Sequence, residues 1–122
     1  MIQKIPQAEL KVMKFIWGKN EEVTSKEVIE SMENKYGWKQ TTTLTLLSKL
    51  VKRKFLLSEK IYRYTHYKII IKNREYLNFE TKNFMSNMHN NSLESLLTSL
   101  YQNKILDKEN FEVIIEIVDN LE

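Results

Sequence analysis

The sequence lacks cysteine altogether and has very little glycine or proline. Without cysteine the chain can form no disulfide framework, use no thiol nucleophile and bind no metal through thiolates. The only glycines and proline are Gly18, Gly37 and Pro6. Tight hairpins and phosphate-binding loops need such residues, so the composition favours helices.

Long apolar runs and clusters of catalytic side chains are also missing. No stretch is apolar for long enough to cross a bilayer, and the N-terminus does not have the layout of a secretory signal. We therefore expect a cytoplasmic protein that does not associate with membranes. The only histidines, His66 and His89, fit no metal-site or catalytic-triad spacing. No metal ion, cofactor or enzymatic activity is predicted.

The charge is divided unevenly along the chain. Residues 1–75 contain 16 Lys/Arg against 8 Asp/Glu, and residues 76–122 contain 3 against 8, so the net charges are +8 and −5. Between Lys39 and Arg74 there are ten basic residues and one acidic residue, Glu59. A basic half of this kind is suited to a polyanion such as DNA, although a solvated lysine-rich surface gives the same count.

Periodicity and capping signals predict three helices in the first half. Apolar residues at helical spacing after Pro6 indicate a helix over 7–17 that ends at Gly18. A capping-box pattern from Thr24 to Glu27 begins a second helix, which Gly37 ends. The third helix is predicted over 40–54.

The third predicted helix has two chemically different faces. One face is predicted to pack in the core, because Thr43 and four apolar residues recur on it at helical spacing. The opposite face combines short hydroxyls with cations, a surface that can approach bases and phosphates in a DNA groove. Its members are Thr41, Leu44, Thr45, Ser48, Lys49 and Lys52. The threonines at the helix start are equally compatible with a simple capping role.

Alternating aromatic and β-branched residues follow this helix and predict a hairpin. Ile61 to Tyr67 is the predicted second strand, paired with Leu56 to Ser58 across a connection near Glu59 and Lys60. Three helices followed by a hairpin give the order of a winged helix-turn-helix. Lys60, Arg63 and Lys68 are the predicted wing cations, and the tyrosines are expected to pack the hairpin onto the helices.

From about residue 72 the composition changes, and three further helices are predicted over 75–88, 93–102 and 108–121. Their apolar residues are too many for helices that lie alone, so we expect this part of the chain to form a homodimer. The predicted dimer contacts are Leu93, Leu96, Leu97, Leu100, Phe111, Ile114, Ile115 and Val118. The chain is thus predicted to be mostly α with a small β-hairpin: a winged helix-turn-helix domain over 1–71 and a helical dimerisation domain over 72–122.

The segments "AELKVMKFIW", "TTTLTLLSKLVKRKFL" after Trp38, and "NSLESLLTSLYQNKILDKENFEVIIEIVDNL" resemble the BlaI/MecI/CopY type of penicillinase and methicillin-resistance repressors. The resemblance covers nearly the whole chain. It implies a dimeric repressor that binds a palindromic operator and blocks transcription of resistance genes. It also implies that Thr41, Thr42, Thr45, Ser48 and Lys49 lie on the face that reads DNA.

The chain departs from this family at several positions. Lys39 and Gln40 replace a usual serine and proline, Leu44 replaces a polar or basic residue, and Lys54 replaces a usual glycine. In β-lactam-responsive members a signalling protease cleaves an Asn-Phe bond, and the aligned candidate site here is Ser99 and Leu100. Copper-responsive members end in cysteine pairs, so copper sensing by thiolates is excluded.

Two other functions agree with the same pattern of elements. One is a dimeric winged-helix regulator that responds to a different signal, such as a drug or a metal. The other is a winged-helix module that binds protein, which occurs when the basic surface is lost. Steep, log-linear salt dependence of binding to duplex DNA distinguishes a repressor from a protein-binding module.

Overall fold

The computed structural model describes residues 1–121, which form six α-helices and three short β-strands. The helices are α1 (Gln7–Lys19), α2 (Ser25–Tyr36), α3 (Gln40–Lys52), α4 (Asn73–His89), α5 (Leu93–Gln102) and α6 (Lys108–Asp119). Glu122, the last residue of the predicted C-terminal domain, lies outside the described residues. None of the helices in residues 1–121 combines the length and apolarity needed to cross a membrane.

The strands β1 (Val23–Thr24), β2 (Leu56–Ile61) and β3 (Tyr64–Ile69) form one antiparallel sheet in the order β1-β3-β2. Val23 pairs with Tyr67, and the β2–β3 hairpin runs from the Leu56–Ile69 pair to the Ile61–Tyr64 pair. The predicted fold class is confirmed, with three helices followed by a hairpin. The sequence did not predict β1, because two residues are too few to show a period-two alternation.

The predicted position of the hairpin turn is wrong. The turn is at Tyr62 and Arg63 rather than near Glu59 and Lys60, and both strands are longer than expected. Tyr62 has a φ of 57°, in the left-handed region that turns usually fill with glycine or asparagine. No glycine, asparagine or proline marks this turn, and in the sequence Tyr62 continues the alternation of the strand.

The predicted ends of the first two helices agree with the structure except at Gly18. α1 continues through Gly18 to Lys19, and Asn20 ends it with a φ of 52°. Thr24 and Glu27 form the predicted capping box: the Glu27 N–H donates to Thr24 Oγ1, and the Thr24 N–H donates to Glu27 Oε1. Gly37 takes the predicted left-handed conformation, with a φ of 69°.

The chain forms two compact units, which divide between Glu80 and Thr81. The core of the first unit comes from α1, α2, α3, the sheet and the start of α4. Its buried apolar residues are Ile5, Val12, Met13, Ile16, Trp17, Val23, Val28, Met32, Leu46, Leu47, Leu50, Phe55, Leu56, Tyr67, Ile71 and Tyr76. The predicted boundary between residues 71 and 72 stays a prediction.

Tyr76 links the N-terminal residues to the core of the first unit. Its hydroxyl accepts the Ile5 N–H at 3.1 Å and donates to the Glu80 carboxylate at 2.8 Å. Burial, the largest cause, and the neighbouring Glu80 carboxylate together raise the pKa of Tyr76 to about 12, although the hydrogen bond from the Ile5 N–H works against this shift. The protonated phenol is therefore favoured in the folded state. Its contribution to the free energy of unfolding is fully present below pH 10.0 and is lost as the pH rises toward 12.

Candidate nucleic-acid interface

The threonines at the start of α3 do not cap the helix. The residue at the N-cap position is Lys39, whose side chain makes no capping hydrogen bond. Thr41 and Thr42 lie inside the first helical turn, and their side chains are exposed. The structure therefore contradicts the capping role and leaves these hydroxyls available on the surface.

The two faces of α3 are divided as the helical spacing predicted. Thr43, Leu46, Leu47 and Leu50 are buried against the core of the first unit. All the residues predicted to contact DNA from this helix are exposed: Thr41, Thr42, Leu44, Thr45, Ser48, Lys49 and Lys52. The helix thus presents to solvent a continuous strip, which we call the α3 outer face, defined by these seven residues.

Along the α3 outer face the side chains form a shallow concavity of about 410 Å³, lined by Leu44, Thr45, Ser48, Lys49 and Lys52. A second concavity of about 330 Å³ extends it toward Thr41 and Thr42. The α3 outer face has no acidic residue. Lys49 and Lys52 form no ion pair with any residue in the described part of the chain, so both ammonium groups are free to bind an anion.

Thr45 has a defined orientation on this face. Its hydroxyl donates to the Thr41 carbonyl oxygen at 2.9 Å, one helical turn earlier. This hydrogen bond uses the hydroxyl proton within the helix, and the hydroxyl lone pairs remain available to a base or a water molecule. Fixing the side chain also reduces the conformational entropy lost when a ligand binds.

Thr43, on the buried face, has a hydroxyl that finds no hydrogen-bond partner among residues 1–121. A buried hydroxyl without a partner costs about 1–3 kcal/mol, and valine has nearly the same shape without the polar atom. We expect Thr43→Val to raise the free energy of unfolding by about 1 kcal/mol. Urea unfolding of both proteins tests this expectation, and a less stable valine variant would contradict it.

The wing supplies the second group of cations. Lys60 is exposed near the end of β2, Arg63 is exposed in the turn, and Lys60 pairs across the strands with Thr65. Neither Lys60 nor Arg63 forms an ion pair with another described residue. Lys68, the third predicted wing cation, lies 3.7 Å from the Glu59 carboxylate and is partly neutralised by it. Tyr62, which the sequence analysis assigned to packing, is instead 94% exposed at the tip.

The histidines do not form a metal site. His66 Nδ1 lies 3.1 Å from the Glu22 carboxylate, and His89 Nδ1 lies 2.8 Å from Ser95 Oγ. Within residues 1–121 no cluster of histidine, aspartate and glutamate side chains has an arrangement that could hold a metal ion.

Comparison with known proteins agrees with this geometry. The family model described as "Penicillinase repressor" matches residues 5–120. The chain belongs to the penicillinase repressor family. Members of this family are DNA-binding transcriptional repressors and not enzymes, which confirms the predicted class of function.

Individual relatives of the penicillinase repressor family show how far the similarity extends. The penicillinase repressor of Bacillus licheniformis is 30% identical over 121 residues, covering 97% of this chain and 94% of the relative. The methicillin resistance regulatory protein MecI of Mammaliicoccus sciuri is 23% identical over 116 residues, covering 95% of this chain and 94% of that protein. The resemblance to this family is thus confirmed over nearly the whole length of the chain.

Solved structures from this family match the first part of the chain. The solution structure of the DNA binding domain of the repressor BlaI has a TM-score of 0.53 and 36% identity, covering 62% of this chain and 94% of that domain. The monomeric form of Bacillus licheniformis BlaI, solved in complex with the blaP half-operator, has a TM-score of 0.53 and 33% identity. It covers 62% of this chain and 92% of its own. The winged-helix assignment is therefore confirmed.

The second unit carries the residues predicted for dimerisation. Leu93, Phe111, Ile115 and Val118 are 47–62% exposed. The other four predicted contacts are half-buried: Leu96, Leu97, Leu100 and Ile114. No residue of α5 or α6 is buried in the single chain.

The apolar surface of the second unit is wider than the sequence analysis predicted. Tyr101, Ile105, Val113 and Ile117 are also large, apolar and 51–71% exposed. Val113 and Ile117 were not among the predicted contacts, because they lie beside the row of apolar residues at helical spacing that contains Ile114 and Ile115. A count of apolar residues around the whole circumference of α6 could have found them.

The candidate cleavage site lies inside a regular helix. Ser99 and Leu100 are half-buried residues of α5, and the Ser99 carbonyl accepts hydrogen bonds from the Asn103 N–H and side-chain amide. Proteases bind substrates in extended form, so cleavage here requires this part of α5 to unwind. The role of these two residues stays a prediction.

Sequence reasoning also missed an ion pair between α1 and the end of α3. Arg53 Nε lies 2.9 Å from Glu9 Oε1, and the Glu9 side chain is almost completely buried. The partners are 44 residues apart in sequence, so no local pattern identifies them. A glutamate at a core-facing position of a helix was the only available signal.

Proposed function

We propose that the protein is a homodimeric repressor that binds an operator with two-fold symmetry through the α3 outer face and the wing. The observation that carries the proposal is the separation of α3 into a buried apolar face and an exposed face of hydroxyls and unpaired cations. An α-helix with this outer face has the width and the donors needed to enter a major groove. The wing cations Lys60 and Arg63 then contact the sugar-phosphate backbone beside it.

The residues of the α3 outer face have different proposed roles. Thr41, Thr42, Thr45 and Ser48 are short, so they let the helix approach base edges closely, and their methyl or hydroxyl groups can contact thymine or phosphate. Leu44 supplies an apolar contact. Lys49, at the start of the last turn of α3, is assigned to a base edge, and Lys52, at the end of the helix, to a phosphate.

The second unit supports the dimer. Large apolar side chains are exposed on both α5 and α6. Monomeric proteins rarely leave extended apolar surfaces in contact with water. A second copy of the same surface covers it through a two-fold interface. Two α3 helices are then related by the same axis, which requires an inverted repeat with half-sites about 34 Å apart or further.

The names of the relatives indicate which class of gene this chain regulates. They are called penicillinase repressor and methicillin resistance regulatory protein, so we propose that this chain controls genes for resistance to β-lactam antibiotics. Control by a sensor protease belongs to the same proposal, with Ser99 and Leu100 as the candidate site. A dimeric winged-helix regulator with another signal would bind a similar operator beside different genes.

Selection of bound duplexes from a random DNA pool tests the proposal. The expected product is an inverted repeat whose half-sites are separated by whole turns of the double helix. Salt titration of the selected duplex should give a log-linear loss of affinity, because several phosphate contacts release counterions. A pool without enrichment, or an enriched site without dyad symmetry, would contradict the proposal.

Two lysine variants separate base reading from backbone contact. Lys49→Ala should weaken binding to the selected site by about 1–3 kcal/mol and change binding to unrelated DNA less. Lys52→Ala should weaken binding to every duplex alike and reduce the salt slope by about 1. Fluorescence anisotropy with a selected and a scrambled duplex measures both effects. Identical behaviour of the two variants would refute the separate roles.

A further inference from the structure

A basic cleft lies beside the α3 outer face, where the last turn of α3 meets the N-terminal arm, defined as residues 1–6. It is lined by Gln3, Lys49, Lys52 and Arg53 and has a volume of about 450 Å³. Neither the sequence pattern nor the wing geometry assigns Gln3 or Arg53 a role in binding. The cleft shares Lys49 and Lys52 with the α3 outer face, so a duplex on that face passes next to it.

The Arg53 guanidinium is held in a fixed position at this cleft. Its Nε donates to Glu9 Oε1 at 2.9 Å, and its Nη1 donates to Gln3 Oε1 at 3.0 Å. Glu9 is 1% exposed, so its carboxylate depends on the guanidinium for compensation of its buried charge. The Arg53 side chain itself remains 30% exposed. These two hydrogen bonds leave Nη2 for a further acceptor, because a guanidinium has five N–H groups.

The N-terminal arm is attached on both sides of Gln3. Ile2 packs against the core of the first unit, and Ile5 is buried, with its N–H donating to the Tyr76 hydroxyl at 3.1 Å. Gln3 lies between these two anchors and is exposed. Because Gln3 Oε1 accepts from Arg53, its Nε2 amide group points away from that hydrogen bond and can donate to another acceptor.

The charge around the cleft is strongly positive. Lys49, Lys52 and Arg53 contribute three cations. Among residues 1–121 the one carboxylate that pairs with them is Glu9, which is buried and already bonded to Arg53. An anion with several acceptor oxygens suits this set of donors. Planar guanidinium groups bind phosphate oxygens through two parallel hydrogen bonds, and ammonium groups add charge without fixed geometry.

We propose that this cleft binds a backbone phosphate of the DNA, with Arg53, Lys52 and the Gln3 amide as donors, so that the N-terminal arm is part of the DNA-binding surface. The inference rests on the proposed function, since it needs a duplex on the α3 outer face. It extends that function to residues outside α3 and the wing. Glu9 acts as a positioning residue, because it holds Arg53 and makes no contact with DNA.

The substitution Gln3→Glu tests the cleft without disturbing the core. The new carboxylate would pair with Arg53 and repel a phosphate, while the exposed position leaves the fold intact. The full chain is titrated with a labelled DNA duplex of mixed sequence over a range of salt concentrations. Losing one phosphate contact should lower affinity by about tenfold near 0.1 M salt and reduce the magnitude of the log–log slope by about 0.9.

Asn78→Asp is the matched control, because it makes the same charge change at an exposed position of α4 that does not line the cleft. It should bind DNA with nearly the affinity and slope of the wild type. Thermal unfolding of the Gln3→Glu protein should be unchanged, because Gln3 is exposed. If the Gln3–Arg53 contact had only a structural role, this variant would not lose DNA affinity. Equal DNA binding by the two variants would contradict the proposal that the cleft binds a backbone phosphate. Absence of DNA binding by the wild type would overturn the proposed function itself.

Discussion

Replacing Ile115 with aspartate is expected to convert the proposed dimer into monomers. Ile115 is 47% exposed in the single chain and belongs to the apolar surface of α6. In the proposed dimer this side chain is covered, and a carboxylate there would lose its hydration without gaining a partner. We expect the dissociation constant of the dimer to rise at least about 100-fold, which corresponds to about 3 kcal/mol. Sedimentation equilibrium measures the change.

Thr98→Asp is the control for this experiment. Thr98 is exposed on the polar side of α5, so the same charge is added to the second unit outside the apolar surface. This variant should keep the mass of the wild type in solution. Ile115→Asp should also lose affinity for the selected operator, because a monomer binds half-sites one at a time without the effective concentration that a dimer provides. An Ile115→Asp protein of unchanged mass would refute the placement of the interface.

Phe55→Ala is expected to have the largest effect on the stability of the first unit. Phe55 is fully buried between the end of α3 and the start of β2, with its ring centroid 5.5 Å from that of Tyr76 in an edge-on arrangement. Its carbonyl oxygen also accepts the Ile70 N–H at 2.9 Å. Truncation of a buried phenylalanine costs about 3–5 kcal/mol, because the cavity that remains collapses only partly. Urea unfolding followed by circular dichroism measures the loss.

Leu57→Ala provides the comparison, two residues further along the chain in β2. Leu57 is 54% exposed, so its truncation should change the free energy of unfolding by no more than about 0.5 kcal/mol. A similar cost for both substitutions would mean that Phe55 does not occupy the core. The loss for Phe55→Ala should also displace the wing from α3, so operator binding should fall at temperatures where the protein remains mostly folded.

Elements that depend on local chemistry could be predicted from the sequence. Thr24 and Glu27 form the expected capping box, and the side chain of Asp107 accepts the Asn110 N–H at the start of α6 as an N-cap residue does. The separation of α3 into a core face and an outer face followed from helical spacing alone. These features involve residues within a few turns of each other, where propensity and periodicity carry the information.

Features that depend on distant residues or unusual backbone conformations could not be predicted. The Glu9–Arg53 ion pair joins two helices, and the turn at Tyr62 and Arg63 lacks the residues that signal turns. Lys54 is a related case. It has a φ of 63° at the end of α3, where the Lys54 and Phe55 N–H groups donate to the Val51 and Leu50 carbonyls. The surrounding packing fixes a conformation that lysine alone disfavours.

The N-terminal cleft shows why the candidate site was only partly visible. Lys49 and Lys52 belong to a helical pattern, so the sequence identified them. Gln3 and Arg53 are brought together from positions 50 residues apart by the packing of the N-terminal arm on the core. Charge counts included Arg53 but could not show that Glu9 holds it or that Gln3 lies beside it.

Amide chemical-shift changes in the full-length protein, measured during titration with the selected duplex, test the central claim most directly. The claim is that the α3 outer face lies against DNA. The account predicts the largest changes at residues 41–52, with further changes at the wing residues 60–63 and in the N-terminal arm. Changes confined to residues 93–121, with the signals of α3 unmoved, would contradict it.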